Sequence, residues 1–262
     1  MNYVGIMNYD FSNVNYLVLA RLWITQIIQN ISEDDNVFIV SNDLHESLVR
    51  LIDRYDNVRR LVMKTGVSNM FPNTLYGHTK NIWGKLYILT HIDFDYVFID
   101  TDAIVVDKLD RLKNIFWDKP FMAVNHEPNV PGHTDEISFE FMNSGFLCVS
   151  DPTFLNWEDL LKHGIDNDFI YRINGRAIPG TDQALLASRM LDIGYDYTHE
   201  DLDNRYNSCS ILNEVTSMNP VSVRSKDTGQ PVCVNHYWAN YKPWSSGNQC
   251  PMFEEAMKIW KR

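Results

Sequence analysis

The chain is poor in several features, and each shortage removes a class of function. Its 262 residues hold four cysteines, Cys148, Cys209, Cys233 and Cys250, with no C-x-x-C pair, so neither a disulfide framework nor a zinc site is indicated. Gly5 is the single glycine of the first 60 residues, which removes the glycine-rich phosphate loop that a sugar-phosphate nucleotidyltransferase carries after its first strand. Positive charge is scarce: Lys+Arg 23 against Asp+Glu 34 gives −11, so a nucleic-acid backbone or an anionic membrane surface is repelled on average. Long apolar runs are missing too. The longest stretch, residues 16–28, is broken by Arg21, Thr25 and Gln26, short of the roughly 18 apolar residues of a membrane span. The opening MNYVGIMNYD lacks the basic and apolar regions of a secretory signal. The expectation is a soluble, cytoplasmic protein of a reducing compartment, with no nucleic-acid partner and no transmembrane segment.

What is present is the composition of a folded α/β domain, 45% hydrophobic and 22% charged. Short apolar runs alternate with segments of helical period, the pattern of a parallel sheet covered by helices. Strands are expected at residues 3–9, 36–41, 58–63 and 96–100, with helices after a cap at Ser12 or Asn13, near 43–52 and over 80–90. Beyond Asp102 the rhythm changes. Strands at 121–126 and 141–150 flank a Pro- and Gly-containing loop, and a helix is expected over 152–163. A loop then runs to Gly180, a helix spans 181–192 with Thr181 as cap, and a late strand (233–238) and terminal helix (252–262) follow. One domain over 1–262 is the economical reading, nucleotide-binding-like to about residue 102 and mixed from 103 onward.

Four D-x-D triplets occur among 24 aspartates, where composition alone predicts about two, so the triplet by itself carries little. Asp100 and Asp102 differ from the others in place, at the carboxyl end of the strand YVFID, where ligands of open α/β sheets bind. Two carboxylates there suit Mg²⁺ or Mn²⁺ shared with phosphate oxygens, although an aspartate also simply punctuates a strand end. His236, in VNHYWANYKPW, is either a satisfied structural histidine or the third ligand of that site, and Lys242 six residues on offers a point charge to a diphosphate. Asn143 and Ser144 in FMNSGF precede Gly145, which permits either a β-bulge or the close approach of a ligand. Asp182 and Gln183 open a helix, where an acidic residue favours the dipole whatever else it does.

Taken in order, G-K-L-Y-I-L from Gly84, Y-V-F-I-D-T-D ending at Asp102, F-M-N-S-G-F from Phe141, T-D-Q-A-L-L from Thr181 and H-Y-W-A-N-Y-K-P-W from His236 resemble glycosyltransferase family 8. That family holds retaining sugar-nucleotide transferases such as glycogenin and the bacterial lipopolysaccharide galactosyltransferases. The resemblance covers residues 2–244, with Ala239 standing where the family usually has Gly. It implies a GT-A fold: a Rossmann-like nucleotide half with a mixed central sheet, fused to a mixed α/β acceptor half. By the same likeness Mn²⁺ (or Mg²⁺) is held by Asp100, Asp102 and His236, with Thr101 also at the cofactor. Lys242 holds the diphosphate and Lys85 contacts the donor. Asn143 and Ser144 line the sugar, Asp182 and Gln183 lie near the anomeric carbon, and Met7, Asn8 and Tyr9 meet the uridine.

The implied reaction moves a hexose from a UDP-sugar, with UDP-glucose or UDP-galactose first, to the hydroxyl of a glycan, lipid-linked or protein acceptor. The alternative is a non-catalytic sugar-nucleotide or glycan binding protein of the same fold. The loops at residues 126–138 and 164–180 are the candidates for acceptor recognition, since loops on a fixed scaffold carry specificity.

Overall fold

The computed structural model describes residues 1–7, 11–62, 79–125, 142–168, 170–173, 176–179, 181–218, 221–237, 242–245 and 250–260. The first half runs β1 (Asn2–Ile6), α1 (Val14–Asn30), β2 (Asn36–Val40), α2 (Glu46–Ile52), β3 (Val58–Leu61), α3 (Thr79–Leu89) and β4 (Tyr96–Ile99). A short β5 (Ala103–Val105) and α4 (Leu112–Ile115) lead to β6 (Phe121–Asn125) and β7 (Met142–Val149). Then come α5 (Trp157–Asp166), the pair β8 (Ile170–Ile173) and β9 (Arg176–Pro179), and α6 (Asp182–Asp192). The chain closes with β10 (Ser208–Cys209), β11 (Asn213–Met218), β12 (Val221–Ser225), β13 (Val234–His236) and α7 (Pro251–Trp260).

The central sheet has the order β3-β2-β1-β4-β7-β6. Its first four strands are parallel, and β7 runs against both β4 and β6, so the sheet is mixed. Alternation along the strands splits the core in two. Tyr3, Val97 and Ile99 face a cluster with α1, α2 and α7, while Val4, Tyr96 and Phe98 face one with α3, α5 and α6. Local signals set the helix starts: the Asn13 side chain accepts the Asn15 N–H at 3.0 Å, and the Thr181 hydroxyl accepts the Ala184 N–H at 3.1 Å. All four cysteines are free and buried.

The chain departs from the sequence expectation in three places. The helix expected over 152–163 is split into a 3-10 turn at Pro152–Phe154 and α5, because Asp151 and Asn156 each cap a separate start. The loop expected up to Gly180 contains the antiparallel β8–β9 pair, whose Tyr171 and Ile173 are buried on the α6 side of the sheet. The strands β5, β10, β11 and β12 were not anticipated: β5 and β10 are too short to show a period, and β11, NEVTSM, is largely polar. The loop at 126–138 lies outside the described residues.

Gly5 sits under the buried Trp23 of α1, where a Cβ would lie 2.6 Å from the indole. Gly5→Ala is therefore expected to overpack the helix–sheet contact and cost about 1–3 kcal/mol. Urea unfolding of the variant against the parent chain checks it; equal midpoints would mean that α1 shifts freely.

Candidate functional site

Strands β1 and β4 are neighbours where the strand order reverses, with β2 and β3 beyond β1 and β7 and β6 beyond β4, and the carboxyl ends at such a point border a ligand crevice. The D-x-D turn forms there. The Ala103 N–H donates to the Asp100 carbonyl at 2.8 Å, closing the turn. Three further bonds hold it. The buried Thr101 hydroxyl donates to the Ile6 carbonyl at 3.2 Å, the Asp100 N–H to the Gly145 carbonyl at 2.9 Å, and the Tyr237 N–H to the Asp102 carbonyl at 2.8 Å.

β13 delivers the histidine. It pairs antiparallel with β5 so that His236 lies opposite Ala103, directly after the turn. Asp100, Asp102 and His236 each bring one ligand atom to within 4.8 Å of the others. Two carboxylates and an imidazole suit a divalent cation of the Mn²⁺ or Mg²⁺ kind. A cradle supports that fit: a Cβ on Gly145 would stand 2.3 Å from His236 Cε1 and 2.6 Å from Nδ1, so only glycine admits the ring at this depth.

Lys85, reaching in from α3, ties a second group together. Its Nζ donates to Asp100 Oδ2 at 3.0 Å, to the Ser144 carbonyl at 2.9 Å and to Ser144 Oγ at 3.2 Å, and pairs with Asp182 Oδ2 at 2.9 Å. The Ser144 hydroxyl donates to the same Asp182 oxygen at 2.5 Å. On the other side of the turn, Lys242 forms an ion pair with Asp102 Oδ2. Trp244 anchors the chain beyond that lysine, packing edge-on against Tyr16 at 5.2 Å and against Phe253 at 5.5 Å.

These charges sort the carboxylates. Burial pushes the Asp100 carboxyl up, against the pull of Lys85. Burial acts upward on Asp102 as well, but Lys242 and His236 outweigh it and hold that carboxyl well below the usual carboxylate range. Asp182 is likewise held low against burial by Lys85 and the Ser144 hydroxyl. Burial would lower the Lys85 ammonium, yet Asp100 and Asp182 keep it charged and raise it above an ordinary lysine.

The structure thus brings together Lys85, Asp100, Asp102, Ser144, Asp182, His236 and Lys242. The Thr101 hydroxyl is turned to β1, at the Ile6 carbonyl. Asn143 acts locally, its Oδ1 accepting the Gly145 N–H at 2.9 Å. At Gly145 the β6–β7 register slips across this stretch, as a bulge would make it, and what approaches the glycine closely is the His236 ring rather than a ligand. Gln183 is half-buried beside Asp182 in the first turn of α6. Met7 is fully buried in the core, with its N–H donating to the Val40 carbonyl at 2.8 Å; Asn8 and Tyr9 lie outside the described residues.

No protein-family model and no curated protein matches the chain. Solved structures do match in shape. Over 98% of its length it is similar to the glycosyltransferase GlyE of Streptococcus pneumoniae TIGR4, with a TM-score of 0.59 and 14% identity. The bifunctional glycosyltransferase WbbM matches over 100% of the chain, with a TM-score of 0.58 and 15% identity. Mouse xyloside xylosyltransferase 1 matches over 90%, with a TM-score of 0.57 and 10% identity. The fold is GT-A-like. The chain spans 59% of GlyE and 51% of WbbM, but 97% of the mouse enzyme. Among the described residues no helix is long and apolar enough to cross a membrane.

Asn207 also touches the site, with no sequence signal to mark it. Asn207 Oδ1 lies 2.7 Å from His236 Nδ1, and no motif surrounds it; only the pairing of β10 with β13 brings it there.

Replacing Lys85 by methionine leaves the half-buried Asp100 and the buried Asp182 without their shared cation. Lys85→Met is expected to lower stability in EDTA by about 3 kcal/mol or more. Guanidinium unfolding measures this; an unchanged midpoint would show that the carboxylates neutralise themselves at little cost.

Proposed function

We propose that the protein is a retaining glycosyltransferase. It moves a hexose from a UDP-sugar, with UDP-glucose or UDP-galactose the first donors to test, to the hydroxyl of a glycan, lipid-linked or protein acceptor. The observation that carries this reading is the convergence of Asp100, Asp102 and His236 at the carboxyl end of β4, with Lys85, Asp182 and Lys242 arranged around them. The GT-A-like fold supports it, because the solved proteins of similar shape are glycosyltransferases.

In this reading Asp100, Asp102 and His236 hold Mn²⁺ or Mg²⁺, which supplies positive charge to the donor diphosphate when bound. Lys242 exchanges its pairing with Asp102 for the diphosphate and stabilises the charge that collects on the β-phosphate as the C1–O bond breaks. The acceptor oxygen bonds to C1 on the face that the phosphate leaves. Its proton passes to the departing phosphate oxygen, so the anomeric configuration is retained.

Asp182 is kept ionised near this centre, and one of its oxygens is already shared by Lys85 and Ser144. That engagement favours an electrostatic role toward the developing oxocarbenium charge over covalent attack. The reading assigns Asn143, Ser144 and Gln183 to the sugar and Met7, Asn8, Tyr9 and Thr101 to the nucleotide.

A panel of nucleotide sugars with Mn²⁺, read by released UDP, tests the proposal. One donor is expected to be turned over, with activity abolished by EDTA and reduced more than about 100-fold in Asp102→Asn. Binding of a donor with no turnover beside any acceptor hydroxyl, water included, would move the reading to a sugar-nucleotide binding protein. No binding of any donor would reject it.

A further inference from the structure

We infer that Asn207 is a positioning residue of the cation site, fixing the His236 imidazole in the tautomer that leaves its Nε2 lone pair for the cation. The inference rests on the reading of Asp100, Asp102 and His236 as a divalent-cation site.

The geometry is that of a second coordination layer. His236 is 4% exposed, with Nδ1 2.7 Å from Asn207 Oδ1 and Nε2 3.2 Å from Asp102 Oδ1. An amide oxygen only accepts, so Nδ1 must carry the proton. The neutral ring has one proton for two accepting oxygens, and the geometry assigns it to the shorter contact, at Asn207, which leaves the Nε2 lone pair on the side of the carboxylates. The reverse amide orientation would direct an NH₂ at Nδ1 and move the ring proton to Nε2, where it blocks a cation. Metal-bound histidines commonly donate their second N–H to a carbonyl or carboxylate in this way.

Three further observations show that the contact is built rather than incidental. Asn207 is 3% exposed and follows a 3-10 turn at Asn204–Tyr206, whose Asn204 carbonyl accepts its N–H at 3.2 Å. The same turn is tied to the histidine's strand: the Cys233 N–H donates to the Arg205 carbonyl at 2.8 Å, and β10 pairs parallel with β13 so that Cys209 matches His236. Finally, Asn207 Nδ2 is buried with no hydrogen-bond partner, so the amide accepts a cost at one end while its oxygen serves the histidine. Gly145 removes the ring's remaining freedom by allowing it to seat against the backbone of β7.

The test uses Mn²⁺ alone as probe, followed by electron paramagnetic resonance, together with the ring ¹⁵N shifts of His236 in metal-free protein at a pH where the imidazole is neutral. A His236→Gln variant identifies the resonance. Parent protein is expected to show the Nδ1–H pattern. Asn207→Leu, close in size but without an acceptor, is expected to lose that pattern and bind Mn²⁺ about 10–100-fold more weakly. Asn207→Asp, which restores an acceptor oxygen, is expected to recover most of the affinity. An Nε2–H pattern in the metal-free parent overturns the inference whether or not the leucine variant folds. So does a folded Asn207→Leu with parental Mn²⁺ affinity when Asp102→Asn has lost it, and that result leaves the cation site standing. Equal Mn²⁺ binding by parent and Asp102→Asn would instead reject the cation site itself.

Discussion

Gathering three carboxylates, two of them half-buried and one buried, in one small volume is the constraint on which the rest of the structure depends. Asp100, Asp102 and Asp182 cannot all remain ionised there without positive charge at contact distance, since an uncompensated buried ion costs several kcal/mol. Lys85 and Lys242 meet that demand from two different elements. Lys85 comes from α3 and touches the end of β4, the backbone of β7 and the start of α6. Satisfying one ammonium therefore fixes where a helix, a strand end and a second helix stand relative to one another.

The second constraint is steric. His236 reaches the D-x-D turn because β13 pairs with β5 on one side and because β7 presents a glycine on the other. Any side chain at position 145 would displace the ring. The turn is in turn strapped to β1, β7 and β13 by hydrogen bonds from Thr101, Asp100 and Tyr237, so the ligand atoms are presented by strand ends rather than by free loops. Sites held in this way are preorganised, and preorganised charge is what stabilises a leaving diphosphate.

Net charge and local charge point in opposite directions. A chain at −11 repels polyanions, yet the ends of β1 and β4 carry a triad with the ligand set of a divalent cation, and in the proposed reading Lys242 turns from Asp102 to phosphate. In that reading the combination admits a small anion that brings, or meets, a divalent cation. It accounts for how an acidic protein handles a nucleoside diphosphate in the glycosyltransferase reading.

By itself the sequence determined much of the first half. The apolar run Tyr96–Ile99 and the cap at Asn13 there, like the cap at Thr181 in the second half, are local effects, and the elements they predict are present. The D-x-D placement followed from the same logic, because a strand buried on both faces is legible as an apolar run and its carboxyl end is where α/β sheets bind ligands. Tertiary structure decided the remainder. Strands as short as β5 and β10 carry no period to read, and their identity comes from β13 between them. Asn207 and His236 lie 29 positions apart, with nothing in either neighbourhood to signal the other. The competition between burial and ion pairing that separates Asp100 from Asp102 likewise depends on Lys85, 15 positions before Asp100, and Lys242, 140 positions after Asp102, arriving at one turn. Periodicity and capping are encoded in adjacent residues; charge compensation and close approach are encoded only in what the folded chain brings together.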